Sequence, residues 1–191
     1  MRSVKQINPE LKHQRSRLHG VVIVALLLTV LLQLVPAAPA AASASPAWSI
    51  RVELSADRWS PGRLHLYDKN GGVVFSARCL GRSEYNTPMN VTYGNTPTGV
   101  YLGRLGRVRS SAYSYGPYQT VDLVGVAGIA KTSRRTGILI HGGAPGPGGS
   151  LRPSHGCVRL SNQDEKRLVE SITALVNRGY NPTGRVVITE R

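Results

Sequence analysis

Ile140 to Leu160 reads IHGGAPGPGGSLRPSHGCVRL: a histidine closes an apolar run, twelve residues follow, and then comes Ser154-His155-Gly156-Cys157-Val158-Arg159. A cysteine among small and basic residues, with two histidines in reach, has the surroundings of an activated thiolate. A free thiol ionises near pH ~8.5, so only a few per cent is thiolate at neutrality unless an imidazole or backbone dipoles favour the anion. Histidine suits the part because an unperturbed pKa of ~6.5 lets it take and return a proton near neutral pH. Gly156 removes a Cβ beside the nucleophile, which opens an approach for a substrate carbonyl and lets backbone N–H groups face a developing oxyanion. The chemistry therefore assigns Cys157 as nucleophile, His141 as base and the Gly156 to Cys157 backbone as oxyanion donors, a constellation for acyl transfer.

The string SHGCVRL, with IHG twelve residues before it, resembles the L,D-transpeptidase catalytic domain, also called the YkuD domain, of bacterial cell-wall enzymes. Upstream, Gly94-Asn95-Thr96-Pro97-Thr98-Gly99-Val100-Tyr101 is similar to the family's T-P-x-G strand start, and residues 50–188 follow the family's order of strands. The resemblance implies a mainly β, sandwich- or barrel-like fold with one helix of the C-terminal half packed on the sheet. It implies that Cys157 is acylated, that His141 is the general base, and that the Gly142 carbonyl orients the imidazole. His155 falls at a position of site architecture, while Arg159, Ser154 and Gly142 fall beside the donor substrate. The implied substrate is a peptidoglycan stem peptide, and neither metal nor organic cofactor is implied. Cys157 would attack the carbonyl of the third, L-centred diamino acid, D-alanine would leave, and a second stem's amine would resolve the thioester into a 3→3 cross-link. Water in place of the amine would make the same site an L,D-carboxypeptidase. A non-catalytic wall-binding protein would have lost His141 or Cys157, and both are present. The chain departs from the pattern at Cys79 and in the Gly- and Pro-rich loop Gly142 to Pro153, which bears on donor specificity.

Several residues admit two readings. His155 either positions the loop or takes part in catalysis, and Arg159 is either a scaffold ion pair or a clamp whose planar fork suits a carboxylate. Two cysteines in an exported protein commonly pair. The motif argues against that here, since a bridged Cys157 could not attack, and leaves Cys79 as a small buried hydrophobe on a strand.

The N-terminus suggests where this chemistry takes place. Arg2, Lys5, Lys12, Arg15 and Arg17 stand against a single Glu10, and Val21 to Val35 is apolar but for Thr29 and Gln33. Basic residues remain on the cytoplasmic side, so the remainder is expected to be exported, to periplasm or cell wall. A helix of that run would measure ~22 Å against a hydrocarbon core of ~30 Å, which favours a signal-peptide core over a permanent span. The Pro36 to Pro46 stretch breaks the helix and offers small-x-small cleavage sites, with Ala42-Ser43-Ala44 first among them. The division is thus 1–46, signal peptide or anchor with an Ala/Pro linker, and 47–191, the catalytic domain.

That domain holds 19 Lys and Arg against 9 Asp and Glu, leaving +10 of the chain's +14. Such a surface either attracts anionic wall polymers or lipid headgroups or serves solubility alone. Nucleic acid is not the expected partner, because no binding motif or pattern of stacking aromatics accompanies the charge. Alternation places strands at Ile50 to Leu54, around Leu64 to Leu66, and, after the hairpin-turn chemistry of Asp68 to Gly72, at Val73 to Leu80. Further strands are expected at Gly99 to Leu105, Thr120 to Val124, Gly137 to His141 and Arg185 to Thr189. Asn162 and Glu165 read as a capping box for a helix with an apolar stripe of Leu168, Ile172, Leu175 and Val176, closed by Gly179. The Tyr-rich segment Ser110 to Gln119 reads either as a lid or as a surface loop.

Overall fold

The computed structural model describes residues 46–177 and 182–191. The leader before Pro46, and Gly179, lie outside them. Strand β1, Trp48–Leu54, sends Trp48, Ile50, Val52 and Leu54 into the core and Ser49, Arg51 and Glu53 outward, as a two-residue period requires. It pairs antiparallel with β2, Gly62–Asp68, which turns through Asp68 to Gly72 into β3, Val73–Cys79. Asp68 Oδ1 accepts the N–H groups of Asn70 and Gly72 there, and Gly71 takes the left-handed φ of +82° that closes the turn.

Strands β4, Gly99–Val108, β5, Gln119–Ala127, β6, Ile138–His141, β7, Val158–Arg159, and β8, Gly184–Glu190, complete a single sheet ordered β3-β2-β1-β8-β4-β5-β6-β7. The β1/β8 and β6/β7 pairs are parallel and the rest antiparallel. The two edges meet: beyond β3, Leu80 exchanges both backbone hydrogen bonds with Arg159 of β7, at 3.0 and 2.9 Å. The protein is therefore mostly β, an eight-stranded and nearly closed barrel-like sheet. Trp48 fills its middle, its ring so close to Gly184 that a Cβ there would lie 2.2 Å from the indole.

Among the described residues three α-helices join the sheet, α1, Ala112–Tyr115, α2, Ile129–Thr132, and α3, Asn162–Val176, with a 3-10 turn at Pro147–Gly149. Leu168, Ile172 and Leu175 of α3 are buried in the core. The expected capping box is displaced by one residue. Ser161 is the N-cap, its hydroxyl accepting the Asp164 N–H at 3.1 Å, which frees Asn162 and Glu165 for contacts with the β6–β7 loop. Strands β4 and β5 run longer than their alternation suggested, and β7 was not anticipated, since two residues carry no period.

Candidate active site

Parallel pairing of β6 with β7 sets Ile140 beside Val158 and His141 beside Arg159. By the same register Cys157 lies level with Leu139, so Cys157 and His141 are diagonal neighbours on one face of the sheet, about 8 Å apart between backbones. Both line a cleft of ≈ 470 Å³ with Tyr113, Tyr115, Arg135, Arg152, Ser154, His155 and Arg159.

His141 is 2% exposed. Its Nδ1 lies 2.7 Å from the carbonyl oxygen of Gly142, which can only accept, so Nδ1 carries the proton and Nε2 keeps its lone pair. Nε2 has no hydrogen-bond partner. The ring of Tyr115 packs against the imidazole at 5.3 Å between centroids. Burial, then the charge of Arg159, pushes the His141 pKa down to about 4, against the raising effect of the Gly142 bond.

Burial also pushes the Cys157 thiol up to about 11, although the Leu139 backbone and the charges of Arg135, Arg159 and Arg109 favour the thiolate. Sγ is 3.6 Å from the Gly137 carbonyl oxygen, to which it donates. Burial thus favours the neutral thiol and the neutral imidazole. This differs from the preformed thiolate that the flanking residues suggested, because desolvation outweighs three nearby cations.

The nucleophile loop is tied to itself and to the sheet. Ser154 Oγ accepts the N–H groups of Gly156 and Cys157 at 3.2 and 2.9 Å and donates to the Cys157 carbonyl at 3.2 Å. The two expected oxyanion donors are therefore both bonded to Ser154 Oγ. Thr96, fully buried, donates to the same Cys157 carbonyl at 3.1 Å, which gives the Thr96-Pro97-Thr98-Gly99 segment a direct hold on the nucleophile. Gly156 has φ +95°, and a Cβ there would stand 2.1 Å from the Gly94 oxygen and 2.3 Å from Arg135 Nη2.

Arg135 was not singled out from the sequence. Its Nη1 donates to the carbonyls of Met89, Gly94 and Asn95, and its Nη2 to that of His155 at 2.8 Å, so one guanidinium joins the 89–95 loop to the nucleophile loop. A dipeptide of arginines before a strand gives no sequence signal for such contacts. Arg159, 4% exposed, spends Nη1 on the Ser114 carbonyl and Nη2 on that of Ala144, both at 2.8 Å. Its fork holds α1 against the Gly142–Ala144 backbone. The Tyr-rich segment is accordingly a docked wall of the cleft: Ala144 N–H also donates to the Tyr113 carbonyl at 2.8 Å, and Arg152 donates to the Tyr113 hydroxyl. His155 lies at the rim, half exposed, with Nε2 3.5 Å from Glu84 and its ring 4.8 Å from that of Tyr93. Asn162 Oδ1 accepts the Gly143 N–H at 2.6 Å, and the buried Glu165 carboxyl sits beside Gly142.

Cys79 stands apart from all of this. With Leu80 opposite Arg159 in an antiparallel pair, Cys79 is level with Leu160, three residues or about 10 Å along the strand from Cys157. A disulfide spans no more than about 7 Å between Cα atoms, so the two thiols stay separate.

No curated protein matches the chain. Among solved structures it is similar to Bd1075 of Bdellovibrio bacteriovorus, with 19% identity and a TM-score of 0.48, covering 78% of this chain and 49% of that one. It is likewise similar to the helical cell shape determining protein Pgp2 of Campylobacter jejuni, with 19% identity and a TM-score of 0.47, covering 75% of this chain and 48% of that one. The chain spans about half the length of these structures. A model of the L,D-transpeptidase catalytic domain, YkuD, matches residues 52–188, which include every strand from mid-β1 to mid-β8 and the whole cleft, and the chain belongs to that family.

Proposed function

We propose that the protein is an L,D-transpeptidase that forms a Cys157 thioester with a peptidoglycan stem peptide and passes the acyl group to a second stem's amine, making a 3→3 cross-link. The observation that carries this reading is the pairing in one cleft of the Cys157 thiol with an imidazole whose Nε2 lone pair is unpartnered and whose Nδ1 is held by Gly142. Since both groups rest neutral, proton transfer to Nε2 accompanies attack of sulfur on the donor carbonyl. The tetrahedral oxyanion takes over the N–H groups of Gly156 and Cys157 from Ser154 Oγ. As it collapses, the C–N bond to D-alanine breaks and the imidazolium gives its proton to the departing amine. The acceptor amine then attacks the thioester, losing a proton to Nε2, and the same donors carry the second oxyanion until the C–S bond breaks and the leaving thiolate takes that proton back from the imidazolium.

The enzyme would work outside the cytoplasm, delivered by residues 1–46, with residues 21–35 as a cleaved signal core or an anchor. N-terminal sequencing of envelope-fraction protein tests this; a start between about Ala41 and Pro46 is expected, and intact soluble cytoplasmic protein would undo it. The reaction itself is tested by incubating the protein with purified tetrapeptide muropeptides and weighing the products. A cross-linked dimer lighter by D-alanine is expected. Tripeptide without dimer would make the protein an L,D-carboxypeptidase, and unchanged substrate would overturn the enzymatic reading.

A further inference from the structure

The outer face of the sheet carries a line of arginines that acyl transfer does not use. Outward positions on β3, β2, β1, β8 and β4 hold Arg78, Arg63, Arg51, Arg185 and Arg104, all exposed. The registers fix their arrangement. Arg78 stands directly across from Arg63, Arg63 is opposite Glu53, Arg51 is opposite Val187, and Arg185 is opposite Leu102. Arg51, Arg185 and Arg104 are therefore each displaced by two residues, always in the same sense, from the arginine on the strand before, while Arg78 is level with Arg63. The three diagonal steps are about 8 Å each, since strands lie ~4.8 Å apart and two residues advance ~6.6 Å, and the Arg78 to Arg63 step is a single strand spacing. The five form one continuous line, not a scattered charge.

Their internal partners are taken. Glu53 and Asp122 are the acids on this stretch of the face, and they pair with Arg191 at 3.2 Å and Arg109 at 2.8 Å. Among the described residues none of the five arginines makes an ion pair; Arg51 only covers the ring of Tyr67, at 5.8 Å. Like charges directly across a strand pair are destabilising, so the Arg78–Arg63 pair costs stability, and Glu53, opposite Arg63 on the other side, makes its ion pair with Arg191.

We propose that this diagonal is the docking track of a linear polyphosphodiester that is not a nucleic acid, of the poly(glycerol phosphate) kind, seating successive phosphates on successive guanidinium forks. The track crosses five of the eight strands of a sheet curled into a barrel, so a flat bilayer would meet only part of it, whereas a flexible chain can follow the curve. Two rings lie on the path, Tyr67, which Arg51 covers, and His65, level with Arg51, partly buried and tied through Nδ1 to Ser76 Oγ at 2.7 Å, a poor platform for stacking successive bases. Exposed Leu102 and Val124, cross-strand neighbours beside Arg185 and Arg104, give the aliphatic backbone of such a polymer a surface to lie on.

The test compares the full chain with two variants of equal charge: R51S/R63S/R185S on the track, and K131S/K166S/R167S on the helices away from it. Binding to poly(glycerol phosphate) is measured against salt concentration. The track variant is expected to bind on the order of 10- to 100-fold more weakly, with a shallower salt dependence, while the other variant binds like the parent. Arg-to-Lys replacement at the three track positions should restore much of the charge-dependent part, and a thermal melt checks that all variants fold. Equal weakening of both triple variants would reduce the track to net charge and overturn the proposal. So would track-dependent binding that is tighter to polyglutamate, to anionic phosphatidylglycerol vesicles or to single-stranded DNA than to the polymer.

Discussion

Burial holds both His141 and Cys157 in their uncharged forms. With the thiol near 11 and the imidazole near 4, neither group titrates in the neutral range. Alkylation of Cys157 by iodoacetamide should therefore accelerate about tenfold per pH unit from pH 7 to 9, following the thiolate fraction. A rate that stays flat from pH 5 to 8 would mean a standing thiolate–imidazolium pair. The depressed His141 pKa also has a stability consequence. Below ~6.5 the unfolded chain binds a proton that the folded ring refuses until about 4, so the stability present above 6.5 is lost as pH falls through that window, by up to about 3 kcal/mol. H141Q should flatten this acid limb in melts taken from pH 7 to 4 while reducing turnover on the order of 10²-fold or more. Unchanged turnover would pass the base's role to His155.

Helix α3 shows how an element placed correctly by its period can hide what its first turn does. The stripe of Leu168, Ile172 and Leu175 is legible because it repeats every three to four residues and has one face to bury. The first turn is not, because Ser161 caps it and Asn162 and Glu165 turn to the β6–β7 loop instead. The Glu165 carboxyl is packed between Gly116 and Gly142, where Cβ atoms would come within 2.0 and 2.6 Å of Oε2. The N–H groups of Gly142 and Tyr118 face it, but neither closes a well-formed hydrogen bond. Burial raises its pKa to about 7. A raised carboxyl stabilises the fold below ~4.5, and that contribution is lost as pH rises through about 7. E165Q should consequently melt higher than the parent at pH 8, by about 2 to 3 kcal/mol, and alike at pH 4. A lower melting point at pH 8 would show that the charged carboxylate is needed. Strands were readable for the same reason as the stripe, by alternation over a half-buried surface. Arg135, Arg159 and Thr96 were not readable in their structural roles, since each acts on backbone carbonyls far away in sequence, and a carbonyl belongs to every residue alike.

Closure of the sheet at Leu80 and Arg159 decides the state of both thiols. It brings Cys79 level with Leu160 and away from the nucleophile, and burial raises the Cys79 thiol to about 12. Thiol titration of the unfolded, non-reduced protein should find two free groups, and C79A should keep full activity; one disulfide and activation by reductant would contradict the register. The sheet's order has a temporal side as well. Strand β8 is the last of the eight to leave the ribosome, yet it lies in the middle of the sheet, parallel to the first strand and antiparallel to β4. Until Gly184 to Glu190 has been synthesised, β1 and β4 have no neighbour to join them, and only the Leu80–Arg159 pairing can link the two halves of the barrel. The pairings that seat β8 between β1 and β4 are thus the last of the sheet to become available as the chain is synthesised, although they lie at its centre.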